Sequence, residues 1–176
     1  QLTVSLEVIN TSPNVLIIGG GHVGKSLAFV CDSIGWTYSI FDVREEFSNK
    51  ERFPKAEEIY TSSISEFLGS EDQKSLSRFS DIFLLGHDWS LDQEILIGIL
   101  SKIDSNQRPR VGCIGSKTKW SAFREAALDA NIPIAIIDST RCPIGLPIGA
   151  HTPEEIAIAI CAEIISLDAK QSLGKN

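Results

Sequence analysis

The stretch Val15-Leu16-Ile17-Ile18-Gly19-Gly20-Gly21-His22-Val23-Gly24 decides the fold. Four apolar residues form a short strand and the glycines turn the chain. A helical pattern then runs from His22 to about Ile34, carrying Val23, Leu27, Val30 and Cys31. The spacing is G-x-G-x-x-G: Gly19 permits the tight turn, Gly21 lets backbone N–H groups approach a phosphate, and Gly24 lets helix and strand pack closely. His22 opens a helix whose free N–H groups and partial positive charge face that phosphate. Asp42 closes the next strand, Tyr38 to Phe41, at roughly the ~20-residue spacing of an acid that takes a ribose hydroxyl. Arg44 favours a 2′-phosphate where Asp42 disfavours one, so NAD and NADP both stay open. The alternative is a purely architectural glycine turn in a pocket without a dinucleotide.

Working outward, apolar runs alternate with helical patterns, the signature of βα units on a mostly parallel sheet. Glu58 to Tyr60, Ile82 to Leu85, Arg110 to Ile114 and Ile134 to Ile137 complete a predicted set of six strands. Helical patterns lie at Ser62 to Ser80, broken around Gly69, and at Leu91 to Leu100 and Lys119 to Leu128. A last helix opens at Thr152-Pro153-Glu154-Glu155, with Thr as N-cap, Pro at the first helical position and Glu155 placed for a capping box. The expected fold is α/β, a Rossmann-like doubly wound sheet of about six strands with helices on both faces. Residues 14–168 form this domain, 169–176 a polar tail, and 1–13 an N-terminal extension. Within that extension residues 2–8 alternate apolar and polar, which predicts an extra strand at a sheet edge or between subunits, and with it a homodimer.

Composition narrows the partners. In 176 residues, 16 Lys and Arg face 23 Asp and Glu, a net charge of −7 with no basic cluster, which argues against nucleic acid. No run approaches the ~18 apolar residues of a membrane span, and no basic leader precedes an apolar core. The expectation is a soluble, cytoplasmic protein with no membrane partner. The chain starts at Gln1, so its first residues are expected to belong to a longer chain. Cys31, Cys113, Cys142 and Cys161 form no CxxC pair and have no neighbouring His in a zinc spacing, so reduced cysteines are expected and no metal site.

Three further clusters follow strands and so fall at the ligand edge of an open parallel sheet. Gly86-His87-Asp88-Trp89-Ser90-Leu91-Asp92 holds the best titrating group, His87, with Asp88 or Asp92 to orient it; a histidine that caps the following helix is the alternative. Gly112-Cys113-Ile114-Gly115-Ser116-Lys117-Thr118-Lys119 offers Ser116 as an N-cap and Lys117 beside free N–H groups for an anion. Arg141-Cys142-Pro143-Ile144-Gly145 begins a rigid loop that is long for a plain connector. Cys113 and Cys142 would then meet a metal or sulfur donor at this edge, or serve as small semi-buried residues. No Ser-His-Asp spacing or acid pair supports a hydrolase. The residues alone leave an NAD(P)-dependent oxidoreductase working at His87 and a nucleotide-sensing regulatory domain as open readings.

Taken in order, five segments resemble the Rossmann domain of the xanthine dehydrogenase accessory protein family, XdhC/CoxI. They are Leu16 to Gly24, Asp42 to Pro54 (DVREEFSNKERFP), Gly86 to Leu96 (GHDWSLDQEIL), Val111 to Lys119 (VGCIGSKTK) and Pro143 to Ile165 (PIGLPIGAHTPEEIAIAICAEII). The resemblance implies a non-enzymatic accessory protein that holds molybdenum cofactor (molybdopterin) while its terminal sulfido ligand is installed. It then delivers the cofactor to a molybdenum hydroxylase apoenzyme, with a cysteine desulfurase as a further partner. By position it assigns Gly19, Gly21, His22 and Gly24 to a nucleotide-type loop with Asp42 and Arg44 beside it, and His87, Ser116, Lys117, Arg141 and Gly145 to the rest of the pocket. Trp89 stands where the family commonly has a histidine, and Pro147 where a polar or acidic residue is usual. The family's separate N-terminal domain, with its own cysteine motif, is not among these residues, so a fragment or a stand-alone Rossmann form is expected.

Overall fold

Because Val15, Leu16 and Ile17 are wholly buried, the first strand must be covered on both faces, and the chain builds its layers around it. The computed structural model describes residues 12–105 and 108–173. The elements are β1 (Asn14–Ile18), α1 (His22–Ile34), β2 (Thr37–Phe41), β3 (Ile59–Tyr60), α2 (Ile64–Ser70), α3 (Gln73–Leu76), β4 (Asp81–Leu84), α4 (Trp89–Leu100), β5 (Arg110–Cys113), α5 (Lys117–Asp129), α6 (Ile134–Ser139) and α7 (Pro153–Leu173). All strand pairs are parallel, in the order β3-β2-β1-β4-β5. The order reverses between β1 and β4, which opens a crevice beyond the carboxyl ends of those two strands.

Alternation along each strand sorts the core into two layers. Val15, Ile17, Tyr38, Ile40 and Phe83 face α1 and α7, where Leu27, Cys31, Ile160 and Ile164 complete one cluster. Leu16, Ile18, Phe41, Ile82 and Leu84 face the other way onto Phe67, Ile95, Leu96, Ile99 and Phe123 of α2, α4 and α5. Each large side chain so buried contributes ~1.5–3 kcal/mol relative to exposure. The predicted doubly wound α/β class therefore holds, with five strands rather than about six.

The missing strand is a correction. Ile134 to Ile137 lies in α6, started by Pro133, whose carbonyl accepts from Ile136 N and Ile137 N at 2.9 and 3.2 Å. A four-residue apolar run cannot tell a strand from a buried helix turn, and the proline at the N-cap settled it. The chain does return to the free side of β5, but later, at Arg141, which forms a single parallel bridge to Gly112. The helical pattern of residues 62–80 divides at Glu71 and Asp72 rather than Gly69, because Asp72 accepts from Ser75 N and starts α3 with a capping box. At the last helix Glu155 accepts from His151 N and Thr152 N while Thr152 Oγ1 accepts from Glu155 N, as the capping pattern predicts. That helix continues through the supposed tail as far as Leu173. The alternating stretch 2–8 lies outside the described residues. No helix among those described is long and apolar enough to cross a membrane.

Candidate functional site

The three fingerprint glycines have different surroundings, and these define the site. Gly19 has φ of 105°, a conformation that favours glycine. A Cβ on Gly24 would lie 2.1 Å from Gly19 O, so helix and strand touch there without room for a side chain. A Cβ on Gly21 would meet nothing within 4 Å. That open space sits at the N-cap of α1, where the backbone N–H groups are free for an anion. Of the three, only the glycine whose part is to admit a ligand has space around it.

Gly20, between them, is covered from above. A Cβ there would fall 1.7 Å from Phe47 O, because the segment after β2 folds across the glycine turn. Arg52 fastens it, donating to Gly20 O at 2.8 Å and Gly21 O at 3.2 Å. Two guanidinium groups lie over the Phe47 ring, Arg44 at 4.0 Å and Arg52 at 5.2 Å from its centroid. Arg52 and Phe47 are not among the residues the sequence patterns single out. The overlooked signal was two phenylalanines, each within three residues of an arginine, in a stretch otherwise fit for solvent.

Asp42 ties this segment to the sheet. Its carboxylate accepts from Gly20 N at 3.0 Å, from Arg44 N at 3.0 Å, and from the Arg44 guanidinium through both oxygens at 3.0 Å each. Burial alone would raise the Asp42 carboxyl, but the hydrogen bonds from Arg44 and Gly20 outweigh it and hold it below the ordinary carboxylate range. A folded value below the unfolded ~3.9 means Asp42 adds stability that is complete above that pH and disappears as pH falls through the folded value. Asp42→Asn is therefore expected to lower the melting temperature at pH 7, and the gap from the natural protein should close below about pH 4. A gap unchanged between pH 7 and pH 3 would assign the loss to shape rather than charge.

A cleft of about 140 Å³ opens at the strand-order reversal, lined among others by Ile18, Gly19, Asp42, Arg44, His87 and Ile95. It is smaller than the ~300–1,000 Å³ of enclosed ligand pockets, with room for about one ring system. Of the candidate residues, Gly19, Asp42, Arg44 and His87 meet here. His87 is exposed, and neither proposed acid is free to orient it. Asp88 caps α4, accepting from Ser90 N at 3.0 Å and Leu91 N at 3.1 Å, and Asp92 pairs with Lys119 at 2.6 Å. Capping thus falls to Asp88, not to His87.

The other candidates stand apart from the cleft. His22 is exposed at the start of α1. Ser116 caps α5 by accepting from Lys119 N at 3.2 Å, and Lys117 is exposed beside it, further along the same sheet edge. Cys113 is buried and Cys142 half-buried next to it. Arg141 points away from the edge: its Nη1 lies 2.7 Å from Glu163 and its Nη2 3.6 Å from Asp81, at the opposite end of β4. Gly145 packs on α7, where its N–H donates to Glu163 at 3.2 Å. Arg141 and Gly145 therefore anchor the final loop to α7.

A family model described as the XdhC Rossmann domain matches residues 15–164. The chain is 28% identical over 160 residues to a probable xanthine dehydrogenase component of Bacillus subtilis, covering 91% of this chain and 44% of that one. It is 27% identical over 166 residues to the uncharacterized protein YqeB of Escherichia coli, covering 94% and 29%. The crystal structure of a xanthine dehydrogenase from Bacillus halodurans superposes with a TM-score of 0.79 at 27% identity, covering 95% of this chain and 47% of that one. The chain thus spans less than half the length of each of these relatives. With the glycine turn, the crossed-over segment and the final loop all inside the matched range, the chain belongs to the XdhC Rossmann-domain family.

Proposed function

We propose that this domain serves a molybdenum hydroxylase of the xanthine dehydrogenase or carbon monoxide dehydrogenase type, by binding molybdenum cofactor before its insertion. The observation that carries the reading is the XdhC Rossmann-domain match across residues 15–164. The geometry supports it through the open face at Gly21, which suits a phosphate, next to a cleft sized for one ring system. Gly21 and the first turn of α1 would hold the phosphate, and Asp42, Arg44 and His87 would border the ring. Ser116 and Lys117 would offer a second anion contact along the edge. When bound, the cofactor supplies a metal centre able to carry a sulfido ligand. This chain's residues bind and orient it, acting without catalysis in the cytoplasm with the hydroxylase apoenzyme and a cysteine desulfurase as partners. A homodimer would cover Ile158 and Ile165, which are exposed seven residues apart on one face of α7.

A second reading, a pyridine dinucleotide at the same place, is favoured by the strand order and by the separate roles of Gly19, Gly21 and Gly24. Arg44 already occupies both Asp42 oxygens, so a ribose diol would compete with that guanidinium. Anaerobic titration of the purified chain with molybdenum cofactor, repeated under excess NADH and then NADPH, separates the readings. Binding of the cofactor, weakened by Arg44→Ala, is the expected result. Run by sedimentation, the same titration reports whether the bound or free chain is a dimer. Binding of a pyridine nucleotide alone would overturn the carrier reading.

A further inference from the structure

The described residues hold two pairs of neighbouring thiols, and the pairs differ in everything that governs thiol reactivity. Cys31 of α1 and Cys161 of α7 lie in one cluster deep in the core, 0% and 3% exposed. Cys113 and Cys142 are also neighbours, but at the end of the sheet, where the Cys142 thiol donates to Gly115 O at 3.9 Å. There Gly112 bridges Arg141 in parallel, with Cys113 N donating to Arg141 O at 2.9 Å and Ile144 N to Cys113 O at 3.2 Å. Cys113 and Cys142 directly follow this bridged pair, and the ladder ends there because Pro143 has no N–H to give and Ile144 takes the Cys113 carbonyl instead. The bridged pair before them is held at the ~4.8 Å of parallel neighbours, near the ~4.4–6.8 Å Cα separation a disulfide accepts. Cys113 is 1% exposed, whereas Cys142 is half-buried, so Cys142 is the more accessible residue of the pair.

The surroundings activate the exposed member. A Cβ placed on Gly115 would stand 3.0 Å from Lys119 Cδ and 3.3 Å from Cys142 Sγ, so the lysine stem and the sulfur flank the same glycine. The Cys113 thiol beside it lowers the Cys142 thiol below its ordinary value; burial opposes this and the Lys119 charge adds to it. Cys113 is driven the opposite way, first by the neighbouring Cys142 thiol and then by burial. An accessible thiolate with a buried partner in disulfide range is the arrangement of an attacking and a resolving cysteine. The Cys31–Cys161 pair has no exposed member and serves as an internal control.

We propose that Cys142 is a modification site for low-molecular-weight disulfides, resolved by Cys113. The Cys142 thiolate attacks one sulfur of the disulfide RSSR, forming Cys142–S–SR and releasing RS⁻, which takes up the proton Cys142 had lost. Cys113 then passes its thiol proton to the departing sulfur as it attacks Cys142 Sγ, forming the Cys113–Cys142 bond and releasing RSH. Both cysteines are oxidised and one RSSR is reduced to two RSH. The product staples the final loop to β5 beside the Lys119–Asp92 pair that borders the cleft.

The test is incubation of the full chain in glutathione buffers of graded oxidised-to-reduced ratio, followed by acid quench, alkylation and peptide mapping. A Cys113–Cys142 disulfide should form while Cys31 and Cys161 stay reduced. Cys113→Ala should stop at glutathionylated Cys142. Cys142→Ser should slow glutathione incorporation at least about tenfold. Thermal melts identify any variant that fails to fold, and Lys119→Gln then gives an independent arm, in which attack by Cys142 should slow. A natural chain that accumulates the mixed disulfide without resolving it, or that oxidises Cys31 and Cys161 as readily, would overturn the proposal.

Discussion

Replacing Asp81 by Asn is expected to destabilise the domain by ~3–5 kcal/mol, the usual loss when one partner of a buried ion pair is removed. For a chain of this size that is a fall of roughly 6–20 °C in melting temperature. Asp81 is 0% exposed and takes the Arg110 guanidinium in a two-point contact at 2.8 and 2.9 Å, with Arg141 Nη2 at 3.6 Å. Without the carboxylate, the largely buried Arg110 and Arg141 guanidinium groups keep Asp168 and Glu163 of α7 as acidic partners among the described residues. Those two acids place the effect toward the lower end of the range. Circular dichroism melts of the variant test this, and a loss under about 1 kcal/mol would mean that α7 alone compensates both arginines. The double variant Asp81→Leu, Arg110→Met should recover much of the stability, because an apolar pair of similar volume needs no counter-charge.

The second large effect is a contrast between adjacent glycines. Gly20→Ala should cost about 1–3 kcal/mol, since its Cβ would strike Phe47 O and force the segment fastened by Arg52 away from the turn. Gly21→Asp should leave stability within about 0.5 kcal/mol, because its position is open and Asp is a favoured N-cap. Yet it should weaken any phosphate-bearing ligand at least about tenfold, because the new carboxylate would occupy the α1 N-terminus and repel the anion. Melting curves with the cofactor and nucleotide titrations check both halves. Unchanged ligand affinity in Gly21→Asp would remove the glycine turn from the site.

The residues that sequence reading placed well are those governed by local rules. The strand Val15 to Ile18 is a run of branched apolar residues before glycine, and α1 follows at the residues its pattern indicated. The caps at Ser116 and Thr152 depend on side chains reaching backbone two or three residues away, so spacing alone reveals them. Ile134 to Ile137 failed because apolarity over four residues carries no period, and the deciding residue, Pro133, lies just outside the run.

For the site, spacing along the chain determined that Gly19, Gly21, Gly24 and Asp42 belong to one strand-turn-helix-strand unit, and that His87, Ser116 and Cys142 come after strands or strand-like returns. Tertiary structure alone decided the partners. Asp42 takes Gly20 N from 22 residues away and Asp92 pairs with Lys119 from 27 residues away, each a choice among several carboxylates and donors of similar sequence distance. Arg141 and Cys142 show the limit most clearly. They are adjacent in sequence but turn to opposite sides of the sheet, one into an ion network with Asp81 and Glu163, the other onto Cys113. Local spacing dictates which residues are helical or extended, because those hydrogen bonds close within a few residues. Which charges and thiols meet depends on the packing of distant elements, which is set only once β5, α5 and α7 are in place.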